Sequence, residues 1–403
     1  MCLSVVKLGP LVHVEIDEPP PVPPLDDDNL LSEILLRLPP DPSSLPRASL
    51  VSKRWLGLIS DPGFSARFRL HHRGNPPLLG FFDPFYFLPT MDPPNRVPNG
   101  RFSLCPDGED WGGIFMPMGS RHGLLLIFHL SRKLLLVSVP FNVDQHRLAV
   151  PPGFDLEKAP VSGAVFRAPG DIRHFQVVLV TTETDEQQHT RVIARVYSSE
   201  TGGWGDCIST PLPSKLPTKS RVDFTIGVLV GHCLYWLLND RSATSDILDG
   251  ILEFDLERQI LAVKPVPVDI PKKNMCQFQV MRAEGGGLGI LFLSNFSAQL
   301  WKMATDSDGV ASWVLGRTVE LDKLLSLNTE EGESLVIQGF AEYNNVVFLR
   351  THTNLFTIQL ESLQFKKIFR PNIMTRYHPF ESVYAAGTGI GGGHDGAELL
   401  RNT

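Results

Sequence analysis

Hydrophobic positions along this chain fall into two textures. Between Leu30 and Leu70 apolar residues recur at helical spacing; after Pro76 they gather into short runs separated by Gly, Pro, Asn and Asp. In the first texture Leu30, Leu31, Ile34, Leu35 and Leu38 form one stripe, with Ser32, Glu33 and Arg37 opposite, which predicts a short amphipathic helix. Pro39-Pro40 ends it, because a proline bars the α conformation for the residue before it. Asp41-Pro42-Ser43-Ser44 supplies a turn and capping side chains. From Leu45 a second helical run carries Leu50, Val51, Trp55, Leu58 and Ile59 inward, with Lys53 and Arg54 outward. Asp61-Pro62-Gly63 stops that run, and Phe64 to Leu70 predicts another helical turn or two. A unit of about forty residues is too small for a self-sufficient core, so it is expected to lend its apolar face to a partner.

The second texture reads as all-β, with Thr318–Leu327 the nearest approach to a helix. It is too long for one sandwich, and a weak repeat points elsewhere. Apolar runs that read as inner strands begin at Leu124, Val177, Leu234, Ile290 and Val347, at spacings of 53, 57, 56 and 57 residues. A second strand follows each: Leu134–Pro140, Val192–Ser198, Ile251–Leu256, Leu300–Met303 and Leu355–Leu360. Units of this length suit four-stranded propeller blades of kelch-like size. Five units fit between residues 115 and 370, and Leu78–Phe82 with Phe380–Ala385 supply a sixth by joining the two ends of the ring. Closure removes exposed strand edges. Trp204 and Trp313 are expected to pack between blades, with Trp236 and Trp301 also at repeat-like places.

Composition narrows the function classes. The 403 residues are 42% hydrophobic and carry 37 basic against 44 acidic side chains, a net charge of −7, so nothing global points to nucleic acid or an anionic membrane. Residues 43–73 hold six Lys/Arg and one acid, interleaved with Trp55, Phe64 and Phe68; this reads as the solvated face of amphipathic helices rather than an RNA site. Five cysteines with no CxxC pair read as reduced thiols in a cytoplasmic or nuclear protein. No apolar run reaches the ~18 residues of a membrane helix, and the apolar start, with Lys7 and Pro10, lacks a signal-peptide pattern. Residues 1–24, acidic and Pro-rich towards their end, are expected to be disordered.

Motifs with chemistry are few. Gly387-Thr388-Gly389-Ile390-Gly391-Gly392 satisfies GxGxxG, but the eleven residues after it leave no room for a βαβ unit, so 387–403 reads as a flexible tail. Gly285-Gly286-Gly287 reads as a loop. GxxxxGK[ST], HExxH and GxSxG do not occur. His71-His72 is a poor chelate, and His122, His129, His232 and His352 show no ligand spacing, so neither a metal nor a cofactor is expected. The Asn295-Phe296-Ser297 sequon is set aside because the cysteine usage argues against secretion.

The segment LLSEILLRLPP, followed by SLPRASLVSKRW and ISDPGF, resembles an F-box, in particular that of plants and notably of large grass families. The likeness covers residues 25–73; the departure is that Leu25 is followed by Asp26-Asp27-Asp28-Asn29 where Leu-Pro is usual. The resemblance implies a multidomain α+β chain, with an F-box at 25–73 and an all-β propeller-like associated domain at 76–386. It implies a non-catalytic substrate-receptor subunit of an SCF-type cullin–RING ubiquitin ligase. The helices would bind the ligase adaptor, and through it the cullin, by Leu30, Ile34, Leu35, Leu38, Pro39, Leu50, Val51 and Trp55, with Lys53 and Arg54 as polar rim. The β domain would hold an unidentified target protein. The alternative is a propeller enzyme or small-molecule receptor with a helical cap, which predicts a ligand in the funnel of the ring.

Overall fold

A computed structural model describes residues 27–82, 86–98, 102, 115–140, 144–155, 159–185, 189–213, 220–222, 226–242, 245–267, 276–305, 307–327, 334–368 and 376–383. The N-terminal 24 residues and the GxGxxG run lie outside them. Four helices come first: α1 (Asp28–Leu36), α2 (Ser44–Ser49), α3 (Lys53–Ser60) and α4 (Pro62–His71). The acidic run before α1 does local work, since Asp27 caps the helix by accepting from the backbone N–H of Asn29 at 2.7 Å and Leu30 at 3.3 Å. Asp61 ends α3 and caps α4, with Pro62 at a first-turn position where no N–H is needed.

The helical run expected from Leu45 to Ile59 is broken. Ser52 is extended and its hydroxyl accepts from Trp55 N–H at 3.2 Å, starting a new helix rather than continuing the old one. Leu50 and Val51 fall in the break and are 67% and 63% exposed, not inward. The stripe on α1 is also rotated from expectation. Leu31, Leu35 and Leu36 are buried, and Leu30 and Ile34 face out. With Leu45, Ala48, Ile59, Phe64 and Phe68 they form the core of the helical module, which Val383 completes from the far end of the chain.

Beyond the helices the chain makes six sheets among the described residues. Two strands, β1 (Leu78–Phe82) and β2 (Phe87–Pro89), start a blade that is finished only by the last strand. The next blade is β3 (Phe115–Arg121), β4 (Leu124–His129), β5 (Leu134–Val139) and β6 (Asp144–Ala149). Then come β7 (Val161–Phe166), β8 (Gln176–Thr184) and β9 (Thr190–Ser198), with β10 (Gly203–Trp204) and β11 (Ile208–Pro211) both pairing β9. In the third full blade β12 (Ser220–Val222) and β13 (Val228–Val230) share one edge of β14 (Cys233–Ser242), followed by β15 (Ser245–Asp255) and β16 (Ile260–Lys264). The fourth is β17 (Cys276–Ala283), β18 (Gly287–Ser294), β19 (Ser297–Thr305) and β20 (Ala311–Glu320), with helix α5 (Leu321–Leu325) after it. The fifth is β21 (Val336–Ala341), β22 (Val346–Arg350), β23 (Leu355–Gln359) and β24 (Phe365–Ile368). Finally β25 (His378–Glu381) pairs antiparallel with β1, Phe82 opposite His378, and closes the ring.

The apolar runs that set the sequence period are second strands rather than innermost ones. The innermost strands touch across blades: β3 lies against β7 and β25, and β21 against β17 and β25. Second strands such as β4 and β22 are sandwiched between neighbouring blades and bury nearly every side chain, which makes them continuous in sequence. The core is accordingly a set of inter-blade layers, for example Leu126, Phe128, Val165 and Leu179 between the first two full blades. Trp204 spans such a seam by donating to Ala149 O at 2.9 Å, as Trp313 does to Pro265 O at 2.8 Å.

Candidate protein-interaction site

The helical module carries an unusual share of uncovered apolar surface. Of twelve large exposed hydrophobic side chains among the described residues, five lie between Leu30 and Leu56: Leu30, Ile34, Leu50, Val51 and Leu56. Pro39 and Lys53 are exposed beside them, while Leu38 and Trp55 are half-buried against the module core. Arg54 donates from Nε to Asp28 Oδ1 at 2.7 Å, holding the first turns of α1 and α3 together, the turns nearest Leu30 and Val51. Leu35 is the correction to the expected set. It has no exposed surface, because its side chain fills the centre of the module, and it cannot meet a partner without unfolding it. Leu56 was missed by sequence reasoning; it lies off the Trp55–Leu58–Ile59 stripe of α3, and that spacing turns it outward.

One end of the ring holds this module in place. Strands alternate in direction within a blade, so the β3–β4, β13–β14, β17–β18 and β21–β22 turns share one end. Arg73, just past α4, reaches that end and donates to Ala168 O at 2.8 Å, to Asp171 O at 3.3 Å, to Arg167 O and to His122 Nδ1. Ser43 Oγ donates to Asn95 Oδ1 at 2.6 Å, and Asn344 Nδ2 to Pro76 O at 2.9 Å. The β4–β5, β18–β19 and β22–β23 turns lie at the opposite end, and none of these tethering hydrogen bonds reaches it.

Inside the tethered end sits a buried polar network. Arg121 and Glu342 form a two-pronged pair at 2.5 and 2.7 Å, and Arg121 also donates to Gly227 O at 2.9 Å. His122 Nδ1 accepts from Arg167 N–H at 3.0 Å, so its proton sits on Nε2, 2.8 Å from Tyr343 Oη. Burial, then the charges of Arg73, Arg121, Arg167 and Arg282, push the His122 pKa down to about 2. Tyr343 is pushed up, chiefly by burial. Glu381 accepts from Tyr343 N–H and from both nitrogens of Asn344, yet burial and the neighbouring Glu342 raise its pKa to about 7. A neutral imidazole and a phenol locked in hydrogen bonds serve to join blades, and they offer no activated nucleophile. Among the described residues no group of three or more His, Cys, Asp or Glu is placed to hold a metal ion, and no helix is long and apolar enough to cross a membrane.

Comparison with known proteins bears on both parts of the chain. The profile of the family described as F-box protein AT5G49610-like, beta-propeller, matches residues 118–386, and that of the F-box domain matches residues 25–67. F-box protein At5g03970 of Arabidopsis thaliana is 24% identical over 359 residues, spanning 84% of this chain and 81% of its own. Regucalcin, a calcium-binding protein from Agrobacterium tumefaciens, is 11% identical over 62% of this chain and 72% of its own, with a TM-score of 0.33. The PQQ-bound aldose sugar dehydrogenase of Streptomyces coelicolor is 12% identical over 66% and 80%, with a TM-score of 0.34.

Proposed function

Because the chain belongs to the F-box proteins with an AT5G49610-like β-propeller, we propose that it is a substrate-receptor subunit of an SCF-type cullin–RING ubiquitin ligase. Leu30, Ile34, Pro39, Leu50, Val51 and Leu56 form the apolar contact with the adaptor, the exposed parts of Leu38 and Trp55 extend it, and Lys53 and Arg54 rim it. The end of the ring opposite these tethers receives the target protein. Catalysis is then proximity alone. The receptor holds target lysines beside a ubiquitin-charged enzyme and raises their effective concentration, without a catalytic residue of its own.

The observation that carries this reading is the number of exposed Leu, Ile and Val side chains on a module whose own core is already filled. Left in water, such side chains are a liability; against a partner they anchor an interface. The test is co-purification of the full chain with a plant SCF adaptor, wild type against Leu50→Asp and Val51→Asp. Both positions are exposed, so the module folds in either variant. Each variant is expected to lose about 2–4 kcal/mol of binding, enough to abolish recovery of the complex. A folded wild type that fails to bind adaptor would sink the proposal.

A further inference from the structure

A cleft of about 150 Å³ lies at the joint between α4 and the ring, a size that accepts a single benzene ring. Its walls are of two kinds. Leu70, Pro76, Val139 and Val383 give an apolar floor with the exposed Ile172 at the mouth, and Arg69, Arg73 and Arg167 bring three guanidinium groups to the lining. Charge there is not balanced. Asp171 is already engaged: Oδ1 accepts from the backbone of Arg173 at 2.7 Å and of His174 at 3.0 Å, and Oδ2 lies 3.1 Å from the His174 ring. Those hydrogen bonds, led by the two backbone donors, hold it ionised with a pKa lowered to about 2. Glu381 also borders the cleft, but its oxygens are taken by Tyr343 and Asn344 and its pKa is about 7.

The arginines themselves are met mainly by neutral groups. Arg73 donates to carbonyls and to the uncharged His122, and Arg167 NH1 donates to His174 O at 3.3 Å. Arg69 has no hydrogen-bond or ion-pair partner among the described residues. Desolvation lowers the pKa of all three; the Asp171 charge offsets part of this for Arg73 and Arg167, and Arg73 and Arg69 then lower Arg167 further. Like charges held together on one wall of a small apolar cleft are relieved by an anion that fits it.

We propose that this cleft binds a small organic carboxylate, with a body about one ring in size on the apolar floor and its carboxylate on the fork of Arg69, backed by Arg167. A planar carboxylate matches a guanidinium in two parallel hydrogen bonds, which a neutral group of the same shape cannot do. The occupant would touch α4 on one side and the β3–β4 and β7–β8 turns on the other, and so would stiffen the joint between helices and ring.

The test uses the full chain and three probes: benzoate, its neutral analogue benzyl alcohol, and inorganic phosphate. Binding is followed by ligand-observed NMR and thermal unfolding at constant ionic strength. Benzoate is expected to bind in the millimolar range usual for about nine non-hydrogen atoms. Benzyl alcohol should bind at least about tenfold more weakly, the loss of a charge-assisted pair. Arg69→Gln should weaken benzoate by a similar factor, and Ile172→Glu, which places a carboxylate at the mouth, should abolish binding. Both residues are exposed, so the variants keep the fold, and unfolding curves check that. Benzyl alcohol equal to benzoate, unchanged affinity in Arg69→Gln, or no benzoate binding at about 20 mM overturns the proposal. Phosphate stabilising as much as benzoate does so too, because it reduces the site to diffuse attraction of anions. No adaptor enters the experiment, so its failure leaves the receptor reading untouched.

Discussion

Arg121 and Glu342 are joined by two hydrogen bonds while almost fully removed from water. Such a pair adds little net stability, but breaking it strands a charge. Glu342→Ala should therefore cost about 3–5 kcal/mol, and a chain with both Arg121→Met and Glu342→Gln should recover part of the loss in denaturant unfolding. Titration of buried groups on the inner strands and their turns has two signs. His122 and His378 have folded pKa values of about 2 and 3, far below the free imidazole, so their contribution is present above pH 6.5 and drains away as pH falls towards those values. Glu381 is raised to about 7, so its contribution is complete below its ordinary value and is lost as pH rises through 7. Two losses outweigh one gain on acidification from pH 6.5 to 4.5. Removing the gain with Glu381→Gln should make the fall in melting temperature from pH 7 to pH 5 steeper than in wild type. An unchanged slope would place the titration elsewhere.

At the level of elements, the ring closes through one short antiparallel pairing. Gly80 sits in β1 where an added Cβ would stand 2.1 Å from Leu88 O, so Gly80→Ala must push β2 off its neighbour. Loss of several kcal/mol is expected from it, as for overpacking against backbone, read as a lowered melting temperature. The same elements show what a sequence reveals. Second strands such as Leu124–His129 were legible because both faces are buried and every residue up to Phe128 is apolar. First strands such as Phe115–Arg121 were not, because they line the axis, carry a register shift between Pro117 and Gly119, and mix Pro, Gly, Ser and Arg into the run. The helical module was legible as a family pattern, but its faces were not. Leu35 and Leu50 look alike in sequence, and only the cap made by Ser52 and the intrusion of Val383 put one inside and the other out.

Over the whole molecule, helices and ring are coupled rather than strung together. Arg73, the Ser43–Asn95 bond and Val383 all cross between them. Wild type is expected to unfold in one calorimetric transition, and Arg73→Ala to separate a lower helical transition from that of the ring. The closing pair has a further consequence in time. During synthesis Phe82 leaves the ribosome nearly 300 residues before His378, its partner. At roughly 5–20 residues per second that is a wait of about 15–60 s. Throughout it Leu79, Phe81 and Phe82 have no β25 to cover them, and the helical core lacks Val383. The nascent chain is thus a client for chaperones until its last strand arrives, and a prematurely terminated one never acquires a finished helical module.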